Sequence, residues 1–285
     1  MPLRRYSTAL TLALLAGAAS ACTATQAEAP PKPPQSWLPP GEEARRLTLP
    51  FDVYNFSPAE VMTREVAEDF LVRDCMRARG QAWEALPGPA DSESAPPHRR
   101  RYGVIEPQVA AVFGYHTAPQ SPGVTARKTK DLDRASAAPP NVQQAVGQCL
   151  SQARADMVKG APKADAAFFN KVIFASFDAS QRDEQVVRVF RSWSTCMAGE
   201  GFDYPDPLAA ITDKRWQTRE PSAEEIRAAR VDVRCKEETG LTAVWAAAET
   251  RIQNDAVRAD PEKFRVLKAV KDRQLAAARR IIARS

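Results

Sequence analysis

The chain has 285 residues, with 40 Lys and Arg against 35 Asp and Glu, a formal charge of +5, and 44% hydrophobic residues. So mild an excess of cations gives no concentrated basic face of the kind nucleic acid requires, and the length suffices for one large core or two small ones. No stretch specifies a reaction, a cofactor or a metal; the two histidines and five cysteines lie apart.

At the start, Arg4 and Arg5 precede an apolar run from Ala9 to Ala19, interrupted only by Thr11 and Gly17. The run is too short for a bilayer span, which takes about 20 apolar residues. It leads into Ala19-Ser20-Ala21 and Cys22, the layout of a cleavable export signal over residues 1–21. Small residues at positions 19 and 21 suit ordinary signal peptidase. Ser20-Ala21-Cys22 also resembles the bacterial lipobox, with Ala19 where that pattern usually has leucine. Either cut leaves Cys22 at the new N-terminus, and loss of the two arginines lowers the charge to +3. The lipobox implies a fatty-acylated, palmitate-type Cys22 that anchors the chain to the cell membrane; the alternative is a secreted form. Two or three acyl chains hold stably, because each buried methylene contributes about 0.8 kcal/mol and one chain is marginal.

Of the 23 prolines, 18 fall in residues 1–140, including Pro30, Pro31, Pro33 and Pro34. Residues 22–42 therefore read as an extended tether reaching on the order of 50 Å at about 3.1 Å per residue. Leu47, Leu49, Phe51 and Val53 alternate, which predicts an extended piece on the core, although Pro50 bars a central strand. Ser57-Pro58-Ala59-Glu60 combines a capping serine, proline at the first helical position and a returning glutamate. It opens a helix to Arg79, closed by Gly80, whose Met62, Val66 and Phe70 face one way while Leu71 and Cys75 face another. Residues 81–101 and 117–140 read as loops by their Pro, Ser, Gly and Ala content, with a short helix at about 107–113 between them. Asn141 is placed to cap a helix carrying Cys149 to Lys159 and ended by Gly160.

Beyond that point the periodicity is cleaner. Val186, Phe190, Trp193 and Met197 form one apolar stripe with Cys196 on its flank. Ser222 and Glu225 form a capping box opening a helix with Ile226, Val233 and Cys235 that stops near Gly240. Leu241, Val244, Trp245, Ala248 and Ile252 make a second stripe, and Asp260-Pro261 begins a last helix running nearly to Ser285. No β-α-β alternation occurs, so the fold class is mainly α. The organisation expected is a first helical half over residues 43–160 with long loops, and a second over 161–285.

With Cys22 assigned to the lipid, Cys75, Cys149, Cys196 and Cys235 remain, an even number that reads as two disulfides in an oxidising compartment. Three pairings are open. Cys75-Met76 with Gly80 repeats in Cys196-Met197 with Gly201, and each is followed by one later cysteine, which favours Cys75 with Cys149 and Cys196 with Cys235. Each closed loop contributes roughly 4 kcal/mol in the chain-entropy picture. No Cys-x-x-Cys occurs and no cysteine neighbours a histidine in sequence, so metal or redox roles are disfavoured.

Residues 183–255 resemble a group of uncharacterised actinobacterial lipoproteins. The likeness rests on Trp193, Cys196-Met197, Gly201-Phe202, Tyr204, Trp216, Pro221-Ser222-Ala223-Glu224-Glu225, Asp232, Cys235, Thr239-Gly240-Leu241 and Val244-Trp245. It implies an envelope address, with a faint association with efflux transporters and wall-binding proteins, and no catalytic residue. The three tryptophans read as core aromatics.

The remaining candidates are weak. Glu200, Asp203 and Asp206 match no calcium loop, and Asp206 suits the cap before Pro207. His116 has no matching nucleophile and reads as a loop residue; His98-Arg99-Arg100-Arg101 reads as a solvated loop, or as a contact for anionic lipid or wall polymer. The last helix, with eight basic residues against three acidic ones from Asp260 on, is the stronger candidate for that contact. The expected function is a non-catalytic structural or protein-interaction module of the envelope. A ligand-binding accessory of a transporter, which needs a pocket of about 300 Å³ or more, is the alternative, and an envelope hydrolase comes last.

Overall fold

The computed structural model describes residues 37–90 and 93–285. The signal sequence, Cys22 and most of the tether lie outside them. The described residues form α-helices and short 3-10 turns and contain no strand. In chain order the helices are α1 (Glu42–Arg46), α2 (Pro58–Ala78), α3 (Pro107–Phe113), α4 (Pro122–Ala137), α5 (Pro140–Val158) and α6 (Ala166–Gln181). There follow α7 (Glu184–Gly199), α8 (Pro207–Ile211), α9 (Ala223–Thr239), α10 (Leu241–Ala259) and α11 (Pro261–Arg284).

Local signals account for most of these boundaries. Ser57 accepts from Glu60 N at 3.2 Å while Glu60 returns a carboxylate to Ser57 N at 2.8 Å, a complete box ahead of α2. Gly240 sits in the left-handed region, φ 67° and ψ 20°, and so ends α9 while letting α10 start at the next residue. Asp206 caps α8 through Leu208 N and Ala209 N, both at 2.9 Å.

Three expectations are corrected. The Leu47–Val53 piece is not extended throughout: Pro50–Val53 is a 3-10 turn, capped by Asp52 on Leu49 N at 2.9 Å, that buries Leu49 and Phe51 and leaves Val53 exposed. The 117–140 loop contains α4, opened by Ser121-Pro122. Asn141 caps nothing, because α5 already starts at Pro140. Helix α6 forms where no element was expected, opened by Asp165, whose side chain accepts from Phe168 N at 2.9 Å.

Two groups of helices form. In the first, α2 packs on α5 and α11; Val72, Met76 and Ala153 surround the Cys75–Cys149 disulfide, and Ala67, Met157 and Ala278 meet further along. In the second, α3, α7, α9 and α10 enclose Trp193, Met197, Leu241 and Trp245, with the Cys196–Cys235 disulfide joining α7 to α9. Each bridge has Cα atoms 5.8 Å apart, within the ordinary disulfide range. The chain interlaces the groups: α3 belongs to the first half in sequence yet packs on α9, while α11 from the second half closes α2 and α5. A ring cluster of Phe51, Phe169 and Phe264 joins them, with Phe51 and Phe264 centroids 5.3 Å apart.

Trp193, Trp216 and Trp245 are core residues with satisfied indoles. Trp193 Nε1 donates to Asp232 at 2.9 Å, Trp245 Nε1 to Ser180 Oγ at 2.8 Å and Trp216 Nε1 to the Ala210 carbonyl at 2.9 Å.

Candidate ligand cleft

One segment, residues 93–121, carries most of the polar construction. The run from His98 to Arg101 is not a solvated loop, since each member is committed to a different partner. His98 Nε2 meets Asp52 Oδ1 at 2.6 Å, and Arg99 bonds Glu106 at 2.7 and 3.1 Å and the Leu38 carbonyl at 3.2 Å. Arg101 makes a bidentate pair with the fully buried Glu249, which also accepts from Tyr102 OH at 2.9 Å and Gln253 at 2.8 Å. Arg100 donates only to backbone carbonyls, Tyr115 O at 2.7 Å and His116 O at 3.2 Å.

Facing this segment, α9 presents Glu225, Asp232 and Lys236, whose spacing of seven and four puts them on one helical face. All three are buried. Lys236 Nζ bridges Asp232 Oδ2 and the Val104 carbonyl, both at 2.9 Å. Burial pushes the Asp232 carboxyl up and the Lys236 ammonium down, and each is opposed by the other's charge. A Cβ on Gly103, at φ 82°, would stand 2.8 Å from the Lys236 nitrogen, so only glycine fits there.

Glu225 corrects another expectation. Ser222 does accept from Glu225 N at 3.1 Å, but the glutamate does not return to the cap. Its Oε1 instead takes Tyr115 N at 2.8 Å, His116 N at 3.2 Å and His116 Nδ1 at 2.7 Å. His116 is therefore no idle loop residue. With Nε2 on the Thr218 carbonyl at 2.8 Å, both ring nitrogens face acceptors, which is the environment of an imidazolium. Burial works against that charge, but the Thr218 hydrogen bond and then Glu225 outweigh it and raise the pKa above the ordinary histidine value.

Between this segment, the start of α2 and α4 lies an open cleft of about 650 Å³. Its lining is mainly apolar, with Trp37, Val61, Met62 and Val124 beside Arg100, Glu65 and Lys128. Residues 37–41, assigned to the tether, are held here through the Arg99 bond to Leu38 and a 2.6 Å bond from Gly41 N to Glu106. A second cleft of about 410 Å³ adjoins it under α4, sharing Met62, Glu65 and Lys128.

Helix α4 roofs both. It has no buried residue and is fastened by two arginines instead. Arg127 reaches the Leu86 and Pro87 carbonyls; Arg134 pairs with buried Asp69 at 2.7 Å, reaches the Glu84 carbonyl and lies 4.6 Å over the Trp83 ring.

The sequence candidates are thus dispersed. Cys75, Cys149, Cys196 and Cys235 are bonded in pairs and line neither cleft, although Val72, Trp83, Val146 and Leu150, packed around Cys75–Cys149, also form the wall of the second one. Of the turn acids, Asp206 caps α8 and Glu200 pairs with Arg234. On α11, Lys271 is buried against Glu60 and the Asp52 and Asn55 carbonyls, while Lys263, Arg265 and Lys268 pair with acids on or capping their own helix. Among the described residues no three His, Cys, Asp or Glu side chains gather as a metal site, and no helix is long and apolar enough to cross a membrane. The disulfides indicate an oxidising, extracytoplasmic environment. No known protein family, curated protein or solved structure matches the chain. The class defined by fold and site is a disulfide-stapled, all-α domain with an open cleft.

Proposed function

We propose that the protein is an exported, lipid-anchored binding module of the cell envelope, whose cleft takes a small ligand without transforming it. The observation that carries this reading is the cleft itself, whose volume of about 650 Å³ falls within the span of ordinary ligand sites and whose lining combines predominantly apolar surface with many polar and charged side chains. It favours the ligand-binding alternative over the purely structural module. A hydrolase needs a nucleophile held by a base, whereas the side-chain hydrogen bonds of His98 and His116 run to carboxylates and a carbonyl, and to no hydroxyl or thiol.

Native mass spectrometry of the protein purified from its host tests the binding. A retained molecule, lost when Val61→Trp fills the cleft, supports it; an empty protein from every preparation and no binding by the variants and probes below would refute it. The anchor is tested by fatty-acid labelling, which Cys22→Ser abolishes if the lipid is there. A protein-interaction reading is favoured by Phe174, 74% exposed on α6.

A further inference from the structure

Resting on the binding reading above, we infer that the cleft selects an amphiphile with a single anionic headgroup, of the fatty-carboxylate class, seated against Arg100. Four observations converge. Every other arginine of the His98–Arg101 run has a carboxylate partner, Glu106 for Arg99 and Glu249 for Arg101, but Arg100 forms no ion pair with any described residue. Its two described hydrogen bonds use two of the five guanidinium N–H donors, leaving Nε and one N–H on each terminal nitrogen to a ligand. Burial, and then its neighbour Arg99, disfavour the charge on Arg100 more than the Glu106 and Glu225 carboxylates, neither of them paired with it, favour it, so an incoming anion meets a cation that is already partly stripped of water. Finally, the wall beside it is apolar: Val61, Met62, Pro96, Pro97 and Val124 offer a path for a hydrocarbon tail.

The other charges in the cleft do not reverse this selection. Asp52 is engaged by His98, Glu106 by Arg99, and Glu93 accepts from Gly123 N at 2.6 Å. Lys128 forms no ion pair with any described residue either, but it is exposed and donates to Gln120 Oε1 at 2.8 Å, so it stays hydrated and offers an anion less than the half-buried Arg100 does. Arg100 is thus the cation on which a headgroup gains most.

The experiment is calorimetric titration of the mature protein with palmitate, with hexadecanol as the uncharged arm, hexadecyltrimethylammonium as the cationic arm and inorganic phosphate as the headgroup-only arm. Palmitate is expected to bind one per chain and at least about tenfold tighter than hexadecanol, in line with a charge-assisted contact; phosphate alone binds far more weakly. Arg100→Gln should erase the preference by weakening palmitate alone, Arg100→Lys should keep part of it, and Val61→Trp should weaken both chains. Trp37 lines the cleft, so occupancy should shift its fluorescence and Trp37→Phe should remove that signal while calorimetric binding persists. Equal affinity for palmitate and hexadecanol, or an unchanged preference in a folded Arg100→Gln protein, overturns the anionic class while leaving the cleft reading intact. Failure of every chain to bind overturns both.

Discussion

Helices α4 and α9 look alike in sequence, both rich in charged residues, yet they occupy opposite ends of the range of environments. Helix α9 buries Glu225, Asp232 and Lys236 at the centre of the larger core, while α4 buries nothing and is latched to the surface by Arg127 and Arg134. Polar composition therefore does not decide where a helix lies. The decisive factor is whether each charge finds a partner when water is removed, because a paired buried group is tolerated and an orphaned one costs several kcal/mol.

The sharpest way to break the contrast is to orphan a charge on α9. Asp232→Ala leaves Lys236 buried without its acid and the Trp193 indole without an acceptor, and should cost about 3–5 kcal/mol in urea unfolding. Removing the Cys196–Cys235 staple that holds α9 to α7, by Cys196→Ala with Cys235→Ala, should cost up to about 4 kcal/mol. The same measurement on α4 should give much less: Arg134→Ala should lower global stability by about 1–2 kcal/mol, while limited proteolysis speeds up within residues 122–137. If α4 were as integral as α9, the global loss would match that of Asp232→Ala. The smallest effect is electrostatic. Because His116 is raised in the folded state, its contribution is complete below the ordinary histidine value of about 6.5 and fades as pH rises through the higher folded value. Urea midpoints between pH 5.5 and 8.5 should show that alkaline decline, and His116→Ala should flatten it.

What the sequence made legible were signals local to a few residues. The box at Ser57 and Glu60, the stripes through Trp193 and Trp245, the Asp260-Pro261 start and the duplicated Cys-Met each describe a helix or staple without reference to the rest of the chain, and the structure contains them all. What escaped depends on distant partners. Glu225 matched a capping box because its separation from Ser222 is correct, but Tyr115 and His116, more than 100 residues away, hold its carboxylate. Helix α4 escaped because it has no apolar stripe to betray it; the Ser121-Pro122 cap and the seven-residue spacing of Arg127 and Arg134 were the available hints. The cleft was invisible for the same reason, being built from three stretches that meet only in the fold.

Helix α11 has a consequence for the order in which the domain can fold. Helices α2 and α5 are joined by a disulfide, but their shared groove is closed by α11, and Lys271 of α11 ties down the carbonyls of Asp52 and Asn55 and the glutamate at the start of α2. Helices α2 and α5 must thus wait, with their apolar groove open, until α11 is in place. Completion of this part of the domain requires α11, so a chain cut short of residue 261 would leave the α2–α5 groove uncovered.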